Sequence, residues 1–340
     1  MRQNGENEDF GIRNKAIKGI SEVFIVNLNV LFLGTPEFAL PSLRKLITAN
    51  LSSLAVVTRP DRPAGRMKQN TPTPVKVEAL KNNLDLFQPI DRDDLLNVLR
   101  EIKPQVLINV AFGMFLPNAV LEFPPLGCIN LHPSLLPAYR GAAPIQRAVM
   151  AGEEYTGVTV MYMSSRMDAG DIILQEKTSI GSEENFGSLY DRLAELGAAQ
   201  LHKALGLLNE GKAPCISQDE EKVSYAPAIS REDEKIAWEK PASEIFNLVR
   251  ALNPAPGAFT IFRSKRLKIW RASVQNIRNL QPCLVPETSG TICFLHKDCI
   301  EVTTGRGMLK ILELQPEGKR RMSARDFLKG NDLKVGEKFE

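Results

Sequence analysis

Residues 128–137 read CINLHPSLLP, and the order of residue types in this stretch decides the fold. Cys128–Leu131 has the composition of a strand. A strand sends successive side chains to opposite faces, so Asn130 and His132 share one side. Pro133 has no N–H and ends the pairing, which leaves both polar groups at the strand's C-terminal edge. Ligands of open α/β sheets bind outside that edge. An amide donor beside an imidazole suits a reaction in which a carbonyl oxygen becomes negative. The amide NH₂ can hold the oxyanion while the imidazole handles a proton or adds positive charge. For an isolated Asn-x-His triplet, a structural pair capping a strand is the competing explanation.

The pattern around this strand supports an α/β sheet. Val30–Gly34, Leu54–Thr58, Val106–Phe112, Val158–Met163 and Ile172–Glu176 also read as strands bounded by turn residues. Phe38–Ala49 and Pro74–Asn83 between them have helical spacing. Phe186, Leu189, Leu193, Leu196, Leu201, Leu205 and Leu208 mark one face of a long helix that Gly211 and Pro214 stop. Strands alternating with helices imply a Rossmann-like, mostly parallel sheet covered on both faces, expected over residues 28–213. Residues 214–232 lose the periodicity and read as a linker. The remainder to residue 330 holds a short helix, Pro241–Leu252, then strand-like pieces at Ala258–Phe262, Leu267–Ala272, Gly290–Phe294, Cys299–Thr303 and Met308–Leu314. Short strands with Gly-containing turns suggest a smaller, OB-like β-barrel. Residues 1–27 are expected to be a poorly ordered extension, and 331–340 a tail.

With 43% hydrophobic and 24% charged residues in 340, the chain has the composition of a globular protein large enough for two domains. The net charge of +3 is unevenly spread: residues 251–330 hold 14 Lys or Arg against 6 Asp or Glu. A basic end on a mildly acidic body fits a polyanionic partner met at one end, or a solvated basic surface. Five cysteines form no CxxC pair, and with three histidines there is no His/Cys cluster of metal-ligand spacing. No disulfide framework and no metal are therefore expected. The early apolar run Val23–Leu33 is too short to span a bilayer, and Glu6, Glu8, Asp9 and Glu22 argue against a targeting peptide. A cytoplasmic protein without membrane contact is the expectation.

Two further segments bear on chemistry. Gly34-Thr35-Pro36-Glu37-Phe38 follows the first strand as a strand-to-helix turn, without the second and third glycines of a dinucleotide fingerprint. Ser164–Asp171, reading SSRMDAGD, is a loop between two strands. Its Asp168 could orient His132 and raise its basicity; a plain turn built from Asp and Gly is the alternative.

Taken together, NxHPSLLP, a downstream MDAGDI and the GTPEF turn resemble the folate-dependent formyltransferase family, from about Leu28 to Gly330. Members acting on glycinamide ribonucleotide share the first two elements. The tRNA-directed members are matched further by RPDRPAGR at 59–66 with 71–77 after it, RGAAPIQR at 140–147, and the basic end LQPEGKRRM at 314–322. The resemblance implies transfer of a formyl group from 10-formyltetrahydrofolate to the amino group of initiator methionyl-tRNA, supplying formylmethionyl-tRNA for translation initiation. The substrate amine is the nucleophile, so no activated Ser or Cys is needed. It also implies site roles. Asn130 binds the formyl oxygen, His132 assists it and moves protons, and Asp168 positions His132 and helps deprotonate the amine. Folate is expected along Ser134, Leu135, Leu136 and Pro137, and more loosely along Phe112, Gly113 and Met114. Candidate tRNA contacts are Arg62, Arg66 and Lys68 in the loop, with Lys265, Arg266, Lys268, Arg271, Lys319, Arg320 and Arg321 in the second domain. A monomer is expected. The competing functions are a formyltransferase for a small amine and an RNA-binding protein with a disabled site.

Overall fold

The structure, a computed structural model, describes residues 27–64, 69–275 and 288–340. The expected extension lies outside the described residues apart from Asn27, and so do the loop candidates Arg66 and Lys68. The N-terminal part runs β1 (Asn29–Gly34), α1 (Leu40–Ile47), β2 (Ser53–Val57), β3 (Arg62–Ala64), β4 (Gln69–Thr71), α2 (Pro74–Lys81), β5 (Asp85–Phe87) and α3 (Arg92–Ile102). It continues through β6 (Val106–Val110), α4 (Asn118–Leu121), β7 (Cys128–His132), α5 (Pro144–Ala151), β8 (Tyr155–Tyr162), β9 (Ile172–Ser179) and α6 (Phe186–Asn209).

Seven of these strands form one sheet in the order β5-β2-β1-β6-β7-β8-β9. The first five are mutually parallel, and β8 and β9 run antiparallel to their neighbours. The parallel strands are nearly continuous apolar runs because helices cover both faces. The chain proceeds outward from β1 through β2 to β5, then returns to β6 on the other side of β1. Strand order therefore reverses at the β1/β6 pair, and the crevice beyond the carboxyl ends of such a pair is where these sheets hold ligands. Helices α3 and α5 are among those that the sequence reading does not name. Asp91 caps α3, accepting from Asp93 N and Asp94 N, and α5 begins on Pro144, whose fixed φ suits a first helical turn.

The C-terminal part runs α7 (Ala242–Ala251), β10 (Ala258–Phe262), β11 (Lys265–Gln275), β12 (Ile292–Leu295), β13 (Ile300–Thr303), β14 (Met308–Pro316), β15 (Met322–Ser323) and α8 (Ala324–Lys329). Its strands form an antiparallel sheet, β10-β11-β14-β13-β12, with β15 on β14. Among the described residues this strand path is open. The last residues are bonded to the sheet: Ile261 and Glu340 exchange two backbone hydrogen bonds of 2.9 Å, and Phe339 N donates to Gly290 O at 2.8 Å. Residues 336–340 thus bond to segments at both ends of the sheet path, and Phe339 is fully buried against Trp238.

The segment 214–232 is hydrogen-bonded to the N-terminal part. Arg140 N donates to Ser224 O, Ala226 N to Arg140 O, and Ala143 N to Ala226 O. It therefore lies against the loop that follows β7. Arg147 then pairs with Asp233 at 2.8 Å and donates to Pro227 O and Ala228 O. Arg250 donates to Gly181 O and Glu184 O, and Gly187 N to Asn253 O, so the two sheets are joined by directed bonds as well as packing.

Candidate active site

Asn130, His132 and Asp168 line one cavity of about 480 Å³, together with Pro36, Phe38, Asn109, Ala111, Phe112 and Gly113. It opens beyond the carboxyl ends of β1, β6 and β7. Asn130 and His132 occupy alternate positions of β7 and are 7% and 4% exposed, so both act away from bulk water. Parallel register sets Asn109 of β6 opposite Asn130, and Asn109 Nδ2 donates to Asn130 Oδ1 at 2.7 Å. The Asn130 Nδ2 is the end left for a ligand. Asn109 Oδ1 is buried without a hydrogen-bond partner, which costs about 1–3 kcal/mol in a native protein.

The imidazole is held in a way the sequence does not reveal. His132 Nε2 lies 2.9 Å from the carbonyl oxygen of Tyr139, so Nε2 is the protonated nitrogen and Nδ1 faces Asp168. The Nδ1 to Asp168 Oδ2 separation is 3.7 Å, an ion-pair distance rather than a hydrogen bond. Orientation of the ring thus comes from the Tyr139 backbone, while Asp168 supplies charge. Asp168 Oδ2 accepts instead from Gly141 N at 2.9 Å.

The Asp168 loop is pinned from the crossing segment. Asp168 has a left-handed backbone, φ 50°, a conformation that Asp tolerates better than most residues. Gln218 Nε2 donates to Asp168 O at 2.9 Å and Gly170 O at 2.8 Å. Gln218 Oε1 in turn accepts from Arg140 Nη2 at 2.8 Å, and the buried Arg140 pairs with Glu220. Gly141, at φ +125°, sits so close to the crossing segment that an added Cβ would lie 2.7 Å from Ala226 O. Only glycine fits there. Asn109, Tyr139, Gly141 and Gln218 are therefore site residues that the sequence reading did not single out. The visible signals were a polar residue inside the apolar run VLINV and the RGAAP stretch.

A second cavity of about 270 Å³ adjoins the first through Gly113, Met167 and Asp168. Met114, Phe115, Leu116, Met161 and Met163 complete its apolar wall. Of the residues expected near folate, Phe112, Gly113 and Met114 line these cavities. Ser134–Pro137 are placed differently: Ser134 Oγ donates to Ala138 O, and Thr159 Oγ1 both donates to Ser134 O and accepts from Leu136 N. These bonds make the segment a braced turn; the preceding Pro133, rather than Ser134–Pro137, lines the larger cavity. Tyr190 lines the far wall and accepts the Phe38 N–H at 2.8 Å; burial pushes its phenol up to about 12, so it stays neutral. The Cys128 thiol is likewise pushed up to about 12 by burial and is no nucleophile.

The basic candidates divide by partner. Arg62, Lys265, Arg266, Arg271, Lys319, Arg320 and Arg321 are exposed and Lys268 is half-buried. Arg321 pairs with Glu313 and lies over Trp270, Lys268 Nζ donates to Pro256 O, and Arg266 stacks 4.0 Å from the Phe259 ring centre. Among the described residues Lys265, Arg271, Lys319 and Arg320 carry no side-chain ion pair. The second sheet also brings His296, Cys299 and Glu301 within 4.8 Å of one another, a grouping that spacing alone had not suggested. Glu301 already receives Lys310 at 3.3 Å and His296 at 3.0 Å. Among the described residues no helix is long and apolar enough to cross a membrane.

A mostly parallel sheet carrying an amide, an imidazole and a carboxylate on one cavity at its strand-order reversal defines a group-transfer enzyme acting on a carbonyl-bearing donor. Residues 27–205 match the formyl transferase family and residues 228–332 its C-terminal domain, so the chain belongs to the formyl transferase family. Among curated relatives it is 46% identical to the methionyl-tRNA formyltransferase of Syntrophus aciditrophicus (strain SB), over 92% of this chain and 99% of that one. It is 42% identical to the methionyl-tRNA formyltransferase of Alkaliphilus oremlandii (strain OhILAs), over 91% and 98%. Of solved structures, an N-formyltransferase from Helicobacter canadensis in complex with folinic acid and dTDP-3-aminofucose matches with a TM-score of 0.63 at 16% identity, covering 84% of this chain and 98% of that one. HypX from Aquifex aeolicus in complex with tetrahydrofolic acid matches with a TM-score of 0.60 at 17% identity, covering 91% and 50%. At these identities the structural likenesses concern the fold.

Proposed function

We propose that the chain transfers the formyl group of 10-formyltetrahydrofolate to the free amino group of methionyl initiator tRNA. The observation that carries this reading is the meeting of Asn130, His132 and Asp168 on one cavity of a formyl transferase chain, in a protein 46% identical over nearly its whole length to a methionyl-tRNA formyltransferase. The amine nitrogen attacks the formyl carbon, and the carbonyl oxygen becomes an oxyanion that Asn130 Nδ2 holds. His132 takes the amine proton at Nδ1, with Asp168 stabilising the imidazolium. As the bond to the folate nitrogen breaks, that proton passes to the leaving nitrogen. No group on the enzyme is modified.

The donor's flat ring is assigned to the methionine-lined cavity, with Gly113 and Met114 on its wall and Phe112 on the adjoining larger cavity, the Ser134–Pro137 turn following the end of β7. The amine enters from the larger cavity. Residues 28–213 are read as the catalytic unit and 233–330 as the tRNA-binding unit, its open sheet and the bridging residues 336–340 together forming an OB-like barrel. Arg62, Arg66, Lys68, Lys265, Arg266, Lys268, Arg271, Lys319, Arg320 and Arg321 are the proposed phosphate contacts, because phosphate neutralisation dominates such affinity. The enzyme is taken to work as a cytoplasmic monomer.

One experiment separates this reading from its rival, a formyltransferase for a small amine. Purified protein with 10-formyltetrahydrofolate is offered charged initiator tRNA, amino sugars and nucleotide-precursor amines. Formylation of the tRNA alone is expected. Efficient formylation of a small amine with none on the tRNA would replace the reading by its rival.

A further inference from the structure

We infer that Asn109 is a positioning residue that fixes which end of the Asn130 carboxamide faces the cavity; this rests on reading that cavity as a formyl-transfer site. The two side chains stand opposite each other on β6 and β7, and the bond from Asn109 Nδ2 to Asn130 Oδ1 is 2.7 Å. A carboxamide has an acceptor at one end and a donor at the other. With its oxygen held toward Asn109, Asn130 presents Nδ2 to the cavity. Turned over, it would present an oxygen, which repels a developing oxyanion instead of stabilising it. Among the described residues no other group bonds the Asn130 side chain, so the orientation depends on Asn109 alone.

The pair is poorly built for stability. Asn109 Oδ1 is sealed from water with no partner, although buried polar atoms in native proteins are nearly always satisfied. The adjacent opposed pair on the same strands, Ile108 and Ile129, shows the apolar solution available at this depth. A carboxamide that satisfies its neighbour but leaves its own oxygen unpaired at a cavity wall points to a role in setting that neighbour.

Three variants test this. N109T supplies a hydroxyl that can donate to Asn130 Oδ1. N109V is its isostere without the donor. N109D supplies only acceptors, so Asn130 must turn over and donate Nδ2 to the new carboxylate. Single-turnover formyl transfer, tetrahydrofolate binding and thermal midpoint are measured for each. The expected kcat order is N109T near wild type, N109V at about one-tenth, and N109D lower by about 10²–10³, the loss expected when one oxyanion donor is withdrawn. KM and tetrahydrofolate binding should hold across the series. Equal rates for N109T and N109V overturn the inference even if N109D fails to fold, because that isosteric pair differs only in the hydrogen bond. A wild-type protein that binds tetrahydrofolate yet formylates no amine overturns the site reading and the inference with it. Active wild type with a flat variant series overturns the inference alone.

Discussion

His132 Nε2 lies 2.9 Å from the carbonyl oxygen of Tyr139, and this contact decides what the imidazole can do. A carbonyl only accepts, so Nε2 carries the proton and the Nδ1 lone pair faces Asp168 Oδ2 at 3.7 Å. The ring can take a proton at Nδ1, where the carboxylate stabilises the cation. D168N keeps a residue that tolerates the left-handed backbone at φ 50° and an oxygen for the Gly141 N–H, but it removes the charge. It should lower kcat by about 10²–10⁴, the usual worth of general acid–base catalysis. The thermal midpoint should change little. The pH–rate profile checks this, and near-normal turnover at neutral pH would remove the Asp168 charge from proton transfer.

Gln218 belongs to the segment between the two sheets, yet it holds the Asp168 loop through two carbonyls and ties it to Arg140. Q218L should leave those groups short of partners and destabilise the fold by about 1–3 kcal/mol. Because Asp168 and Met167 border both cavities, the variant should also raise KM for folate as well as lower kcat. Denaturant unfolding and steady-state kinetics on one preparation test the pair of effects. A stability loss with unchanged kinetics would make Gln218 merely structural.

The α/β core was readable because buried parallel strands leave apolar runs and α6 keeps a clean period, so Val30–Gly34 and Phe186–Leu208 declare themselves. What escaped reading depends on contacts remote in sequence. Tyr139 holds His132 through its backbone, which no side-chain pattern encodes. Gln218 sits in a stretch without periodicity, about fifty residues from the aspartate it supports. In the Ser134–Pro137 turn, Thr159 and Gln175, both remote in sequence, bond Ser134 O and the Leu136 backbone. Asn109 was the readable exception, a polar residue in an otherwise apolar strand.

The bond between Arg147 and Asp233 gives a pH dependence. The hydrogen bond from Arg147 holds the Asp233 carboxyl down to about 2, against 3.8 ordinarily. A carboxylate depressed on folding contributes stability that is present above the ordinary value and lost as pH falls through the folded value. Between about pH 4 and pH 2 the wild type should therefore lose more stability than R147M, in which the largest cause of the shift is removed and only the Ser230 bonds remain. Thermal midpoints of both proteins across that window check the sign, and parallel curves would show that the pair contributes nothing.

The proposed tRNA contacts can be ranked by their existing partners. Arg271, Lys319 and Arg320 are exposed and carry no side-chain ion pair among the described residues, so R271A, K319A and R320A should each reduce the salt slope of tRNA binding by about 1. Arg321 is engaged by Glu313, and R321A should do less. Binding isotherms at several salt concentrations measure this; unchanged slopes would place the interface elsewhere.

The most direct test of the account is single-turnover transfer of labelled formyl from 10-formyltetrahydrofolate to methionyl initiator tRNA, comparing wild type with N130A. Wild type should yield formylmethionyl-tRNA, and N130A should do so at a rate lower by about 10²–10³, with tRNA and folate binding intact. Equal rates in the two proteins would contradict it.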